Sequence, residues 1–128
     1  MKLYHLDWER GHKHEFHSNL TFPGRGSGAV LSEGDEIFNS AKTAFEGGFY
    51  VEVAEVEGDS PEDAFRWTQN IDDAWSDTPA EGVKPIGKGP FRSTSVGDIV
   101  EQDGVFKLVS SLGFKELKDF QSPPALKV

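Results

Sequence analysis

Four side-chain groupings in this chain have residue types that can do chemistry. His12, His14 and His17, with Glu15 among them, offer imidazoles of the kind that bind transition metals. On a strand, His12 and His14 share a face and His17 points away; on a helix, His14 and His17 align and His12 turns away. Neither geometry converges all three, so the segment is expected to be a polar loop without metal, and no cofactor is expected elsewhere. Gly24, Gly26 and Gly28 form a GxGxG run. A dinucleotide site needs a strand before such a run and a helix opening on it, but here Pro23 precedes and Ala29-Val30-Leu31 follows. Ser93, Ser95 and Asp98 place hydroxyls near a carboxylate, yet all four histidines lie at the N-terminus and there is no nucleophile-elbow pattern. Asp72 and Asp73 are adjacent, and on a helix they diverge by about 100°. The expectation is a protein that is not an enzyme.

Arg92-Ser93-Thr94-Ser95 reads differently. Its hydroxyls can cap backbone groups, and Asp98 can accept hydrogen bonds from the amides of the same loop. The result would be a rigid polar turn. With aromatic residues upstream it would form a binding surface of Trp67, Gln69, Trp75, Arg92, Ser93, Ser95 and Asp98, in which Arg92 anchors an anion or a partner.

The elements that must hold this turn follow from periodicity. Residues 2–8, KLYHLDW, alternate as a strand, with Leu3, His5 and Asp7 on one face and Tyr4, Leu6 and Trp8 on the other. Residues 9–19 read as a loop or ragged hairpin, and PGRGSG at 23–28 as a flexible connection. Ser32 and Asp35 have capping-box spacing before Ile37, Phe38, Ala41, Ala44 and Phe45, which predicts a helix over 33–46 closed by Gly47-Gly48. Phe49 to Val56 is the clearest strand, and the break of phase at Ala54-Glu55 predicts a bulge or a second buried face. Ser60 and Pro61 open a helix over 61–70 whose buried face would carry Ala64, Thr68, Ile71 and Trp75. Residues 76–91 read as a long loop. Asp103-Gly104 between 98–102 and 105–109 predicts a type I′ hairpin with Ile99 opposite Leu108 and Glu101 opposite Phe106. Gly113 to Leu117 can add a third strand.

The fold class expected is α+β: a small mixed or antiparallel sheet, two helices on one face and a C-terminal β-hairpin. One compact domain over residues 1–120 with a loose tail at 121–128 suits a chain of 128 residues with ten Phe and three Trp. There are no cysteines, no apolar run approaches the roughly 18 residues that span a bilayer, and the N-terminus is too charged for a signal peptide. A cytoplasmic location follows. Residues 33–81 hold 14 acidic and 2 basic residues, whereas the whole chain has a net charge of −9. Surface acids of this kind keep a small protein soluble; the balance also disfavours nucleic acid and would suit a protein partner with a basic surface, bound with steep salt dependence.

Three stretches carry a resemblance: AFRWTQNIDDAW, then RSTSVGDIVEQDG, then GFKEL. In this order residues 61–117 resemble a small domain of unknown function found in phage, plasmid and other mobile-element proteins, including YodL-like domains. Ala74 stands where family members often carry proline. The resemblance implies a non-enzymatic accessory or interaction module of a mobile element, and inhibition of a host protein is one concrete version. A nucleic-acid-associated module using the C-terminal hairpin is the alternative. It requires Lys84, Lys88, Arg92, Lys107 and Lys115 to cluster on one face.

Overall fold

The computed structural model describes residues 1–21, 30–111 and 113–120. The glycine run, the connection at 23–28 and the tail at 121–128 lie outside the described residues. Among the described residues the architecture is mixed α and β: a seven-stranded sheet with four helices. In chain order the elements are β1 (Lys2–Leu6), α1 (Trp8–Gly11), α2 (Glu15–Thr21), β2 (Val30–Leu31), α3 (Glu36–Glu46), β3 (Tyr50–Val56), α4 (Pro61–Arg66), β4 (Val83–Pro85), β5 (Ile99–Gln102), β6 (Val105–Ser110) and β7 (Gly113–Leu117). The strand order is β2-β7-β6-β5-β1-β3-β4, with β2 and β7 parallel and every other pair antiparallel.

The hairpin follows its turn chemistry. Asp103 and Gly104 have φ of 54° and 82°, as a type I′ turn requires. Ile99 then faces Leu108, and Glu101 faces Phe106. The bulge also forms: β3 pairs Ala54 with Leu3 and Glu52 with Tyr4. The extra residue, Val53, is buried beside Ala54, which accounts for the broken alternation in the sequence.

The helices do not share one face of the sheet. Phe38, Ala41, Ala44 and Phe45 of α3 and Phe16 and Leu20 of α2 pack with Leu6, Ile99, Phe106, Leu108 and Leu117. Ala64 of α4 and Trp75 pack with Leu3, Val53, Val56, Val83 and Val100. The reason lies in β1, β3 and β5, whose alternate positions are apolar on both sides. A strand of that kind must be covered twice.

Other elements depart from the periodicity. Residues 9–19 are largely helical: Asp7 caps α1 by accepting from the Arg10 amide at 3.1 Å, and Phe16 and Leu20 of α2 are buried at i, i+4 spacing. Helix α3 starts at Glu36 because Asp35, not Ser32, is its N-cap. The expected reciprocal bond still forms, from the Ser32 amide to Asp35 Oδ2 at 2.9 Å. Helix α4 ends at Arg66, so Ile71 is 83% exposed and not in a buried stripe. Within the segment read as a loop, Val83–Pro85 joins the sheet against Ala54–Val56.

Candidate functional site

Asp98 is the centre of the turn that the sequence singled out. It is 0% exposed, and its two oxygens accept four hydrogen bonds. Oδ1 accepts from the Leu6 amide at 2.8 Å and from Arg92 at 2.7 Å; Oδ2 accepts from the Ser95 amide at 2.8 Å and from Arg92 at 2.7 Å. The Arg92 pairing is the bidentate geometry that a guanidinium fork favours. Arg92 also donates to the carbonyls of Ser93 at 3.0 Å and Leu6 at 2.8 Å. Four of its N–H groups are therefore spent inside the protein. Arg92, the expected anchor for an anion or a partner, is thus bound into the fold, and among the described residues only its Nε–H makes no hydrogen bond.

The segment around this ion pair is tied down by its neighbours. Gly97 has φ of 99°, and a Cβ there would meet the Leu20 carbonyl oxygen at 3.2 Å, so glycine is needed for both conformation and close approach. The Tyr50 hydroxyl donates to the Gly97 carbonyl. Burial, followed by the Asp98 charge, raises the Tyr50 pKa well above the usual phenol value. Asn70 receives the following chain, donating from its side chain to the Phe91 carbonyl at 3.0 Å and from its amide to Ser93 Oγ at 2.8 Å. Trp75 is 3% exposed, and its indole N–H donates to the Arg92 carbonyl at 2.8 Å.

Tertiary structure also brings in a histidine. His5 lies 5% exposed on β1, with Nε2 2.9 Å from Thr94 Oγ1. Thr68 donates to the Ala64 carbonyl at 2.6 Å, and its oxygen sits 2.7 Å from Thr94 Oγ1. With the Thr68 proton on Ala64, the Thr94 proton belongs on Thr68, and His5 must donate from Nε2. A single directed chain thus runs from β1 through the turn to the end of α4. Burial depresses the His5 pKa to about 4; the Asp98 charge opposes this and the Arg92 charge reinforces it. His5 is therefore neutral at pH 7.

The Thr94–His5–Asp98 grouping has the composition of a nucleophilic triad but the wrong geometry. In a working triad the carboxylate holds the imidazole nitrogen remote from the nucleophile. Here Asp98 Oδ2 approaches Nε2, the same nitrogen that meets Thr94, at 3.8 Å. Thr94 itself is 2% exposed.

Above this buried network lies a groove of about 570 Å³. Gln69, Arg92, Ser93 and Ser95 of the expected surface line it, joined by Trp8, Phe65, Ser110 and Ser111. Trp75 and Asp98 do not reach it; being buried, they support it from below. Trp67 packs elsewhere, against Gly58 and under Arg66. Trp8, missed in the sequence, is 40% exposed and lies over the Arg92 guanidinium at 4.0 Å. No local signal links Trp8 to Arg92, 84 positions apart; the β1–β5 pairing does.

The three loop histidines do not converge. His12 Nδ1 contacts the Glu9 carbonyl, His14 stacks on Phe16 at 5.0 Å, and His17 Nδ1 is buried without a hydrogen bond. Burial, followed by the His12 and Arg92 charges, lowers the His17 pKa. Among the described residues no group of three His, Cys, Asp or Glu is placed to hold a metal ion, and no helix is long and apolar enough to cross a membrane. Comparison with protein families, curated proteins and solved structures gives no match.

Proposed function

We propose that this chain is a non-enzymatic binding module, an accessory protein of a phage, plasmid or related mobile element that engages a partner protein through the groove beside Trp8. One observation carries the reading. An exposed tryptophan is stacked on an arginine that a fully buried carboxylate holds in a fork. Tryptophan and arginine are the residues that dominate protein interfaces. Fixing them before contact removes the ordering cost that a free side chain would meet on binding. The rest of the surface supports a basic partner. At the far end of β1, Glu55, Glu57, Glu101 and Asp103 surround a second groove of about 640 Å³ in which Lys2 is the lone basic side chain. Acidic ends of this kind accelerate encounter with a basic protein more than they tighten the final complex.

The nucleic-acid alternative meets a geometric obstacle. Lys107 and Lys115 point to opposite faces of the sheet, Lys107 with Val109 and Lys115 opposite Leu108. Lys84 sits opposite Glu55, and Lys107 opposite Glu116. These three lysines make no shared stripe for a phosphate backbone.

The test is affinity capture from the host lysate with wild type and Trp8→Ala, each checked for an unchanged melting temperature. Loss of a specific partner from Trp8→Ala is the expected result. A partner retained equally by both proteins removes the groove from the function.

A further inference from the structure

Resting on that reading of the groove, we infer that the segment it receives is electrically neutral. The occupant is an uncharged stretch of a partner polypeptide that lays an aromatic or aliphatic side chain against Trp8 and pairs its amides with the hydroxyls beside it.

The chain is 27% Asp, Glu, Lys and Arg and carries a net charge of −9. Yet eleven residues line this groove and only Arg92 among them is charged. Its charge is cancelled by Asp98 beneath it, and four of its N–H groups are committed to protein oxygens. A cationic segment would find the local carboxylate fully buried and already holding four donors. An anion, including a nucleic-acid phosphate, would find only the Arg92 Nε–H uncommitted, on a guanidinium whose charge Asp98 already balances; any further donor would have to come from that ion pair. Neither sign of charge is rewarded here.

Neutral hydrogen-bonding groups are rewarded. Among the described residues, the Trp8 indole N–H, Ser95 Oγ and Ser111 Oγ have no hydrogen-bond partner, whereas Gln69, Ser93 and Ser110 are engaged. Trp8, Ser95 and Ser111 thus offer one donor and two hydroxyls that can donate or accept, and Gln69 Oε1 and the Ser93 proton are also unused, a mix that complements a peptide's N–H and C=O groups. The apolar surface comes from the exposed indole and the half-buried Phe65 ring. A centre without net charge inside a charged surround is also how stable protein interfaces are built.

The acidic exterior and the neutral groove then do separate jobs. Salt should slow encounter with a basic partner but leave the contribution of the groove unchanged.

The experiment is an NMR titration of the ¹⁵N-labelled protein. The probes are end-capped tripeptides with Tyr, Leu, Arg or Glu at the centre, together with a short oligothymidylate, each at low and high salt. The Tyr and Leu peptides should shift the Trp8 indole N–H and the Ser95 and Ser111 amides, with affinity changing less than about twofold between the two salt levels. Trp8→Ala should abolish the Ser95 and Ser111 shifts, and Trp8→Phe should keep them. The inference is overturned if the Arg peptide, the Glu peptide or the oligothymidylate binds the groove most tightly. It is equally overturned if high salt removes the shifts or if no probe produces any. Should these peptides fail while Trp8→Ala still loses its captured partner, neutrality fails and the binding-module reading stands. A partner retained by Trp8→Ala ends that reading instead.

Discussion

Replacing Asp98 by Asn tests the central claim that one buried carboxylate organises the groove. The substitution keeps the side-chain shape and removes one acceptor. Each oxygen of Asp98 accepts one backbone N–H and one Arg92 N–H. Whichever way the amide flips, its NH₂ therefore faces two donors. Arg92, 23% exposed along its side chain, loses its counter-charge, and the Leu6 or Ser95 amide loses its acceptor. Breaking one side of a buried ion pair costs about 3–5 kcal/mol. At roughly 0.05–0.15 kcal/mol per residue, a domain of this size has about 6–19 kcal/mol in all. Asp98→Asn should thus remove a large share of the stability and lower Tm by about 10–20 °C. Thermal and urea unfolding of Asp98→Asn, Arg92→Met and the double variant supply the cycle. Because the double variant leaves no buried charge unpaired, its loss should fall short of the sum of the two single losses by about 1–3 kcal/mol. A melting temperature for Asp98→Asn within about 3 °C of wild type, or strictly additive losses, would refute the account of the turn.

Three further outcomes follow from named residues. His5, with its pKa at about 4 in the fold against 6.5 unfolded, binds fewer protons folded than unfolded. Stability should be intact above pH 6.5, fall by up to about 3 kcal/mol as the pH drops toward 4, and then level off for this group. Urea midpoints across that range should show a shallower slope for His5→Gln than for wild type, and equal slopes would count against a neutral buried His5. Gly104→Val should cost about 1–2 kcal/mol through its positive φ. Since nothing lies within 4 Å of a Cβ there, Gly104→Asn should recover most of that loss in the same unfolding assay. Ile71→Ser should change stability by no more than about 0.5 kcal/mol, because the side chain is 83% exposed; a core-sized loss would return Ile71 to the buried helix face that the periodicity suggested.

The sequence by itself determined the local geometry. Asp103-Gly104 set the hairpin and its register, because two successive positive φ values permit few other connections. Asp98 was readable as the acceptor of its own loop, since the Ser95 amide is three residues away. The bulge showed as a phase break at Ala54, and β3 and α3 showed as period. Features set by distant pairing were not readable. Amphipathic spacing says that a helix face is buried without saying which side of the sheet buries it, so the placement of α3 and α4 on opposite sides is not in the sequence pattern. Trp67 and Trp75 are near the loop in sequence, but only packing places the exposed Trp8 beside Arg92. The buried His5–Thr94–Thr68 chain joins residues 89 and 26 positions apart. Antiparallel pairing of β1 with β5 places the N-terminal strand beside the Arg92 turn. That pairing turns a polar loop into a fixed ion pair under an exposed indole. Side-chain type sets what a group can bond to, whereas the sheet order decides which groups meet.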